Sequence, residues 1–406
     1  MGFLRSLPCQ TPKAARGYER ARCFKPCATS ATRLAQGLAY FTALKLRRAR
    51  RLEKLAERLA QRSLAYALVS SPENVEYLTG FPATGRPPRA CYFLASSDGR
   101  GVLWVSKLDL EEAEERAEGF VEVRALRKGL GEEVEEALKG EGRLGVELGG
   151  LSYREVEELQ RRLGAARVAD SSGLVEELRA VKEAGEVELI KRAVEAAERG
   201  IEKGVEALAQ GACEREAAGI MEAEARRAGA DGVAFDTIVS CSPGSSQPHR
   251  IAGGNVPKRG EPIVIDFGVR VSGYCSDLSR TVVVGEPRPW VEEALEAVIE
   301  AKRAAEEALR PGLGAGKVDL KARSLLKSRR LAKYFIHGLG HGVGLSVHEA
   351  PTLTPRSRDR LKAGMVVTIE PGLYFKGRGG LRVEDVYLVA KGRALKLGRL
   401  EEWMVL

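Results

Sequence analysis

All four histidines of the chain fall between residues 249 and 348, and each stands beside glycine, proline or acidic residues. They are His249 in SQPHR, His337 and His341 in HGLGHGVG, and His348 in VHEAP. Five carboxylates lie among them or close behind: Asp266 and Asp277 in PIVIDFGVRVSGYCSDLSRTVVV, Glu370 in VVTIEPG, and Glu384 and Asp385 in RVEDV. Neutral imidazole beside clustered carboxylate is the donor set of a divalent metal site. A lone histidine is more often a satisfied structural residue, but four of four beside one acidic cluster reverse that expectation.

The carboxylates are anomalous by position. Asp266 and Asp277 stand eleven residues apart in two apolar runs joined through Gly273, one in each arm of an expected β-hairpin. Burying an unpaired carboxylate costs several kcal/mol, so each needs a cation or strong donors. Solvent-facing aspartates at strand edges would explain either residue alone. Two that face each other across a hairpin repel unless a metal lies between them. Glu370 and Glu384 repeat the anomaly at the end of, or inside, further apolar runs. Four carboxylates and an imidazole can hold two divalent ions. Oxygen-dominated ligation suits Mn²⁺, Co²⁺ or Fe²⁺ at least as well as Zn²⁺. A hydroxide bridging two such ions is a strong nucleophile at neutral pH, and both ions can stabilise the oxyanion it creates.

The glycine-rich segments are poor phosphate loops. HGLGHGVG has neither a GxxxxGK[ST] pattern nor a strand-before, helix-after context, and GLGAGK at 312–317 is too short and is followed by Val318. The glycines of HGLGHGVG then read as a bend that brings backbone close to the metal centre.

The elements that must carry these residues follow from the rest of the chain. At 406 residues and 44% hydrophobic content, it is long enough for two globular domains. The longest apolar stretch, GLAYFTAL at 37–44, falls far short of the roughly 18 residues a spanning helix needs, so a soluble protein without membrane association is expected. Residues 1–50 hold eleven Lys or Arg against the single Glu19, so they carry +10 and leave the remainder near −1 of the chain's net +9. Nothing in the body therefore argues for a nucleic-acid partner. Seven scattered cysteines without a paired CxxC point to reduced thiols and a cytoplasmic setting; Cys9, Cys23 and Cys27 lack the company of a zinc site.

Residues 1–48 show no sustained period and read as a basic tail or a start placed too far upstream, with an organellar transit peptide as the other reading. Residues 49–172 alternate strand-length apolar runs (AYALVS, CYFLAS, GVLWVS, RLGVEL) with helical stretches, the pattern of an α/β domain in which NVEYLTGF reads as a turn after a short helix. Residues 173–406 form the second domain. It opens with a charged helical stretch from about 174 to 208, whose Glu and Lys residues read as a solvated face, and continues with the β-rich runs that hold every histidine.

Taken together, IDFG with SDLSRT, HGLGHGVGLSVHEAP, TIEPGLY and RVED make the chain resemble the pita-bread metallopeptidases over roughly residues 49–406, in the Xaa-Pro branch of prolidase and aminopeptidase P. NVEYLTGF is similar to the signature of the creatinase-type N-terminal domain. The resemblance implies an α+β fold in which a pita-bread catalytic domain follows a smaller α/β creatinase-type domain. It implies hydrolysis of the bond preceding proline in a peptide substrate, two divalent ions (Mn or Co, with Zn or Fe as alternatives) and a homodimer. By position, Asp266, Asp277, His341, Glu370 and Glu384 would be the metal ligands. Asp277 and Glu384 would bridge, Asp266 would hold one ion in bidentate fashion, and His341 with Glu370 would complete the other. Glu370 would also shuttle the proton. His249 and His348 would stabilise the tetrahedral intermediate, His337 would line the pocket for the residue after the scissile bond, and Arg382 would contact substrate or orient Glu384. SPGSSQPH departs from the usual Asn-Ser-Ala-Leu-Pro-His type of segment, which touches substrate preference rather than ligation. A methionine aminopeptidase-like exopeptidase and a non-catalytic pita-bread binding module are the alternatives. The added N-terminal domain and the HxxGH motif disfavour the first, and the full ligand set disfavours the second.

Overall fold

The computed structural model describes residues 47–406 apart from 85–88, 118 and 139–141. The readings placed on residues 1–46, including the basic tail and the Cys9, Cys23 and Cys27 group, lie outside the described residues.

The four apolar runs of the first part become strands of one six-stranded sheet. Its order is Glu122–Ala125, Gly101–Val105, Cys91–Ser96, Tyr66–Val69, Leu144–Val146, Val168–Asp170. The Cys91–Ser96 strand pairs antiparallel with both neighbours, and the outer pairings are parallel. Successive side chains on a strand point to opposite faces. Leu68, Leu94 and Trp104 accordingly enter one buried cluster, while Val69, Phe93 and Leu103 enter another with Leu55 and Leu59 of the 47–61 helix. Because both faces are covered, the runs read as continuous apolar stretches rather than alternating ones.

NVEYLTGF is mostly helix. Its first six residues complete the helix Pro72–Thr79, and the turn is confined to Gly80, whose φ of 77° closes the helix in the left-handed conformation. The charged stretch from 174 to 208 is helical but not one helix, and its solvated face holds at Glu188, Glu195, Glu202, Lys203 and Glu206 while Lys182, Glu186 and Glu198 are buried. It breaks into Leu174–Arg179 and Ala184–Ala209, with Glu183 and Glu186 forming a reciprocal cap at the second start. The break lets Lys182 N–H bond Gly364 O at 2.8 Å, and Arg179, Lys182 and Glu186 are buried.

The second part repeats a motif of sheet plus helix pair. One sheet runs in the order Trp403–Val405, Leu278–Val283, Pro262–Phe267, Ile238–Cys241, with Ala184–Ala209 and Glu214–Arg227 in its core cluster. The other runs Glu349–Leu353, Gly340–Gly342, Val366–Ile369, Asp385–Val389, Ala394–Lys396, with Pro289–Ala308 and Ala315–Ser328 packed on it. A hairpin of Gly372–Phe375 and Gly379–Arg382 stands between them.

The expected Asp266/Asp277 hairpin forms with an interruption. Pro262–Phe267 pairs with Leu278–Val283, and the intervening Val269–Val271 and Tyr274–Cys275 turn back in a separate small sheet. Asp266 therefore faces Ser279 in the register, and Asp277 lies just ahead of its strand rather than within it. The turn is tight at Gly273, with φ of 82°, where an added Cβ would come within 2.1 Å of Glu76 Oε1. The glycines around His341 also have a different cause from the one expected. A Cβ on Gly340 would meet Thr368 O at 2.2 Å and one on Gly342 would meet Ala350 O at 2.3 Å, so neighbouring strands require them. Among the described residues no helix is long and apolar enough to cross a membrane.

Candidate metal centre and substrate pocket

The two sheets bring five ligand-type side chains to one place. Asp266 comes from Pro262–Phe267, Asp277 from the residue before Leu278–Val283, and His341 from Gly340–Gly342. Glu370 follows Val366–Ile369, and Glu384 lies between Gly379–Arg382 and Asp385–Val389. A bond of 3.0 Å from Glu384 N–H to Ser279 O ties one half to the other. Three groups each present ligand atoms within 4.8 Å of one another: Asp266, Asp277 and Glu384; His341, Glu370 and Glu384; and Asp277, His341 and His348. All five expected ligands are thus gathered. His348, expected on the substrate side, also reaches the edge of the cluster.

The electrostatics of this cluster call for a cation. Burial, reinforced by Glu384 and Asp266, holds the Asp277 carboxyl well above the usual carboxylate range. Burial and then Glu384 do the same to Glu370, and burial with Asp266 pushes Glu384 up to about 8. Asp266 Oδ1 and Glu384 Oε1 are buried without a hydrogen-bond partner. Orphaned carboxylate oxygens in a buried site are costly, and hard divalent ions take such oxygens as ligands. The residues present fit divalent metal.

His341 is oriented for the same purpose. Its Nδ1 lies 3.2 Å from Gly342 O, so the proton belongs on Nδ1 and the free Nε2 pair faces Asp277 Oδ2 at 3.6 Å and Glu370 Oε1 at 3.5 Å. Burial first, then His348, whose ring packs edge-on 4.2 Å away, pushes its pKa down to about 4 and keeps the imidazole neutral. His337 follows the same logic. Nδ1 donates to Gly338 O at 2.7 Å, and Nε2 accepts from Tyr374 OH at 3.0 Å. Burial, helped by Arg382, holds it near 4. His348 is exposed as a residue, yet partial loss of hydration among its neighbours lowers its pKa, opposed by Asp266 and reinforced by His249. His249 is also exposed, on the loop that follows Gly244–Ser246.

Arg382 organises the buried side. Its Nη2 donates to Asp266 Oδ2 at 2.6 Å, Nε to Ser279 Oγ at 2.7 Å and Nη1 to Tyr374 OH at 2.9 Å. Ser279 Oγ passes its own hydrogen to Glu384 Oε2 at 2.8 Å. One guanidinium thus fixes Asp266 directly, Glu384 through Ser279, and His337 through Tyr374. Sequence reasoning missed Ser279 and Tyr374. The signal for Tyr374 was strand alternation, because Tyr374 pairs with Gly380, two residues from Arg382 and on the same face.

Comparison with known proteins identifies the family. The sequence profile of metallopeptidase family M24 matches residues 188–391, and that of the creatinase/prolidase N-terminal domain matches residues 51–181. A protein named Xaa-Pro dipeptidase from Pyrococcus furiosus is 36% identical over 351 residues, which is 86% of this chain and 98% of that protein. The solved prolidase from Pyrococcus horikoshii aligns with a TM-score of 0.81 and 33% identity, covering 87% of this chain and 99% of that one. The X-Pro aminopeptidase from Thermotoga maritima aligns with a TM-score of 0.79 and 29% identity, over 87% and 99%. The chain belongs to the M24 metallopeptidases, with a creatinase/prolidase N-terminal domain preceding the pita-bread catalytic domain.

Proposed function

We propose that the protein hydrolyses the peptide bond preceding proline, in dipeptides or at the N-terminus of longer peptides. In this reading two divalent ions are held by Asp266, Asp277, His341, Glu370 and Glu384. The observation that carries it is the pair of buried, unpartnered oxygens on Asp266 and Glu384, two residues of a cluster in which Glu384 joins Asp266 and Asp277 in one group, and His341 and Glu370 in another, each with ligand atoms within 4.8 Å of one another. The relatives named Xaa-Pro dipeptidase and X-Pro aminopeptidase supply the substrate class.

When bound, the ions supply Lewis acidity to the substrate carbonyl and an activated water. Glu370 takes the proton from the attacking water and delivers it to the proline nitrogen as the C–N bond breaks. Its carboxylate lies between His341, at 3.5 Å, and His337, at 3.8 Å, a position consistent with carrying a proton across the pocket. His348 and His249 donate N–H to the developing oxyanion and to the substrate backbone. His337, neutral and locked by Tyr374, forms the wall against the proline ring. Arg382 keeps Asp266 and Glu384 in place.

The test compares turnover of an Xaa-Pro dipeptide, an Xaa-Pro-led tripeptide and a proline-free dipeptide after addition of Mn²⁺ or Co²⁺. Turnover of either proline substrate, absent with the third and abolished by chelator, is expected. No turnover of either proline substrate would remove the proposal. Asp277→Asn should lose metal and activity together while retaining a cooperative unfolding transition.

A further inference from the structure

We propose that Glu349, gripped by Arg179 and Lys182, is a positioning residue for His348, and that this ionic clamp makes pocket geometry depend on the N-terminal domain. The inference rests on His348 acting on the substrate side.

Glu349 directly follows His348 and opens the strand Glu349–Leu353. Its Oε2 accepts from Arg179 Nη2 at 2.5 Å and its Oε1 from Lys182 Nζ at 2.6 Å. The side chains of Arg179, Lys182 and Glu349 are only 6%, 1% and 7% exposed. A buried ion pair contributes little net stability, since desolvation offsets attraction, but losing one partner leaves a costly charge. Its effect is therefore geometric: Glu349 can occupy one place. The surrounding backbone is built around that place. An added Cβ on Gly344 would lie 2.5 Å from Glu349 Oε1, so the segment between His341 and His348 closes over the carboxylate only with glycine there. Gly344 O in turn accepts from Cys275 N–H at 2.8 Å, two residues from Asp277. Gly342 faces Glu349 in the register, at a bulge immediately after His341.

The clamp continues away from the metal centre. Arg179 Nη1 donates to Asn74 Oδ1 at 2.7 Å. Asn74 Nδ2 donates to Glu147 Oε1 at 2.6 Å and to Glu176 Oε1 at 3.0 Å. Glu147 also receives the Ser70 and Ser71 N–H groups, both at 2.8 Å. A continuous polar chain thus runs from the first sheet through Asn74 and Arg179 to Glu349, next to the histidine whose ring lies 4.2 Å from that of His341.

The test is a double-mutant cycle on the metal-loaded full chain with an Xaa-Pro dipeptide. Glu349→Gln should lower kcat by between about 10- and 100-fold, the range expected for a displaced reacting group, with KM and metal content little changed. In a His348→Ala background the same substitution should change kcat less than about twofold, because the group it positions is gone. Asn74→Ala, which leaves the ion pair intact, should act in the same direction more weakly and be cancelled by His348→Ala too; it also serves if Glu349→Gln does not fold. Equal factors in both backgrounds, or undiminished kcat in Glu349→Gln, would overturn the positioning role. Full activity of His348→Ala would instead overturn the substrate-side role on which the proposal stands.

Discussion

In the metal-free protein Glu384 should cost stability as pH rises, while His337 and His341, lowered to about 4, give the opposite slope up to about pH 6.5. Glu384 is 2% exposed, its Oε2 accepts one bond from Ser279, and Oε1 has no partner. Burial and Asp266 push its pKa from 4.5 to about 8. An unfolded chain releases this proton near pH 4.5, whereas the folded chain holds it until about 8. Across that window the unfolded state binds fewer protons at this group, so its contribution to stability falls with pH; below and above it, this group contributes no slope. Each pH unit corresponds to about 1.4 kcal/mol, which gives a ceiling on the order of 5 kcal/mol. That is comparable with the whole stability of many domains. Saturating divalent ion should reverse the trend, because metal binds the deprotonated carboxylates. The assay is urea unfolding with chelator at pH 5 to 8 on wild type and Glu384→Gln, which keeps the shape and removes the titration. Wild type should lose several kcal/mol more than the variant over this range. Parallel curves for the two proteins would refute the reasoning.

Two further substitutions separate scaffold from pocket. Gly340→Ala drives a Cβ to within 2.2 Å of the Thr368 carbonyl; overpacking of this kind costs about 1–3 kcal/mol or more, so the melting midpoint should fall and metal content should drop with it, because His341 is the next residue. Tyr374→Phe removes the hydroxyl shared by His337 and Arg382; with a buried donor left unsatisfied at about 1–3 kcal/mol, kcat/KM on an Xaa-Pro dipeptide should fall roughly tenfold while metal stoichiometry, read by elemental analysis, stays unchanged.

What the sequence exposes here depends on how local the physical cause is. Asp266, Glu370 and Glu384 stand out because a carboxylate beside an apolar run violates the cost of burial, a rule that needs only neighbouring residues. The strands of the first sheet are legible for the same reason: a short apolar run bounded by turn residues describes itself. Asp277 stands out by the same anomaly, yet the register that sets Asp266 opposite Ser279 and leaves Asp277 ahead of its strand does not, because the excursion at 269–275 is set by contacts with Glu76 and Gly344. The stretch 174–208 reads as a charged helix with a solvated face because charge is normally exposed. Its break and its buried Arg179 and Lys182 are dictated by Asn74, about a hundred residues earlier, and by Glu349, about 170 residues later. No period or motif joins three such positions. The candidate metal centre is thus written in residues that conflict with their own surroundings, whereas the buried polar groups packed beside His337 and Glu349 conflict with nothing until the chain folds. This difference predicts where sequence reading will fail in such a site: in the buried polar residues whose partners lie in another domain, of which Arg179 is the clearest case.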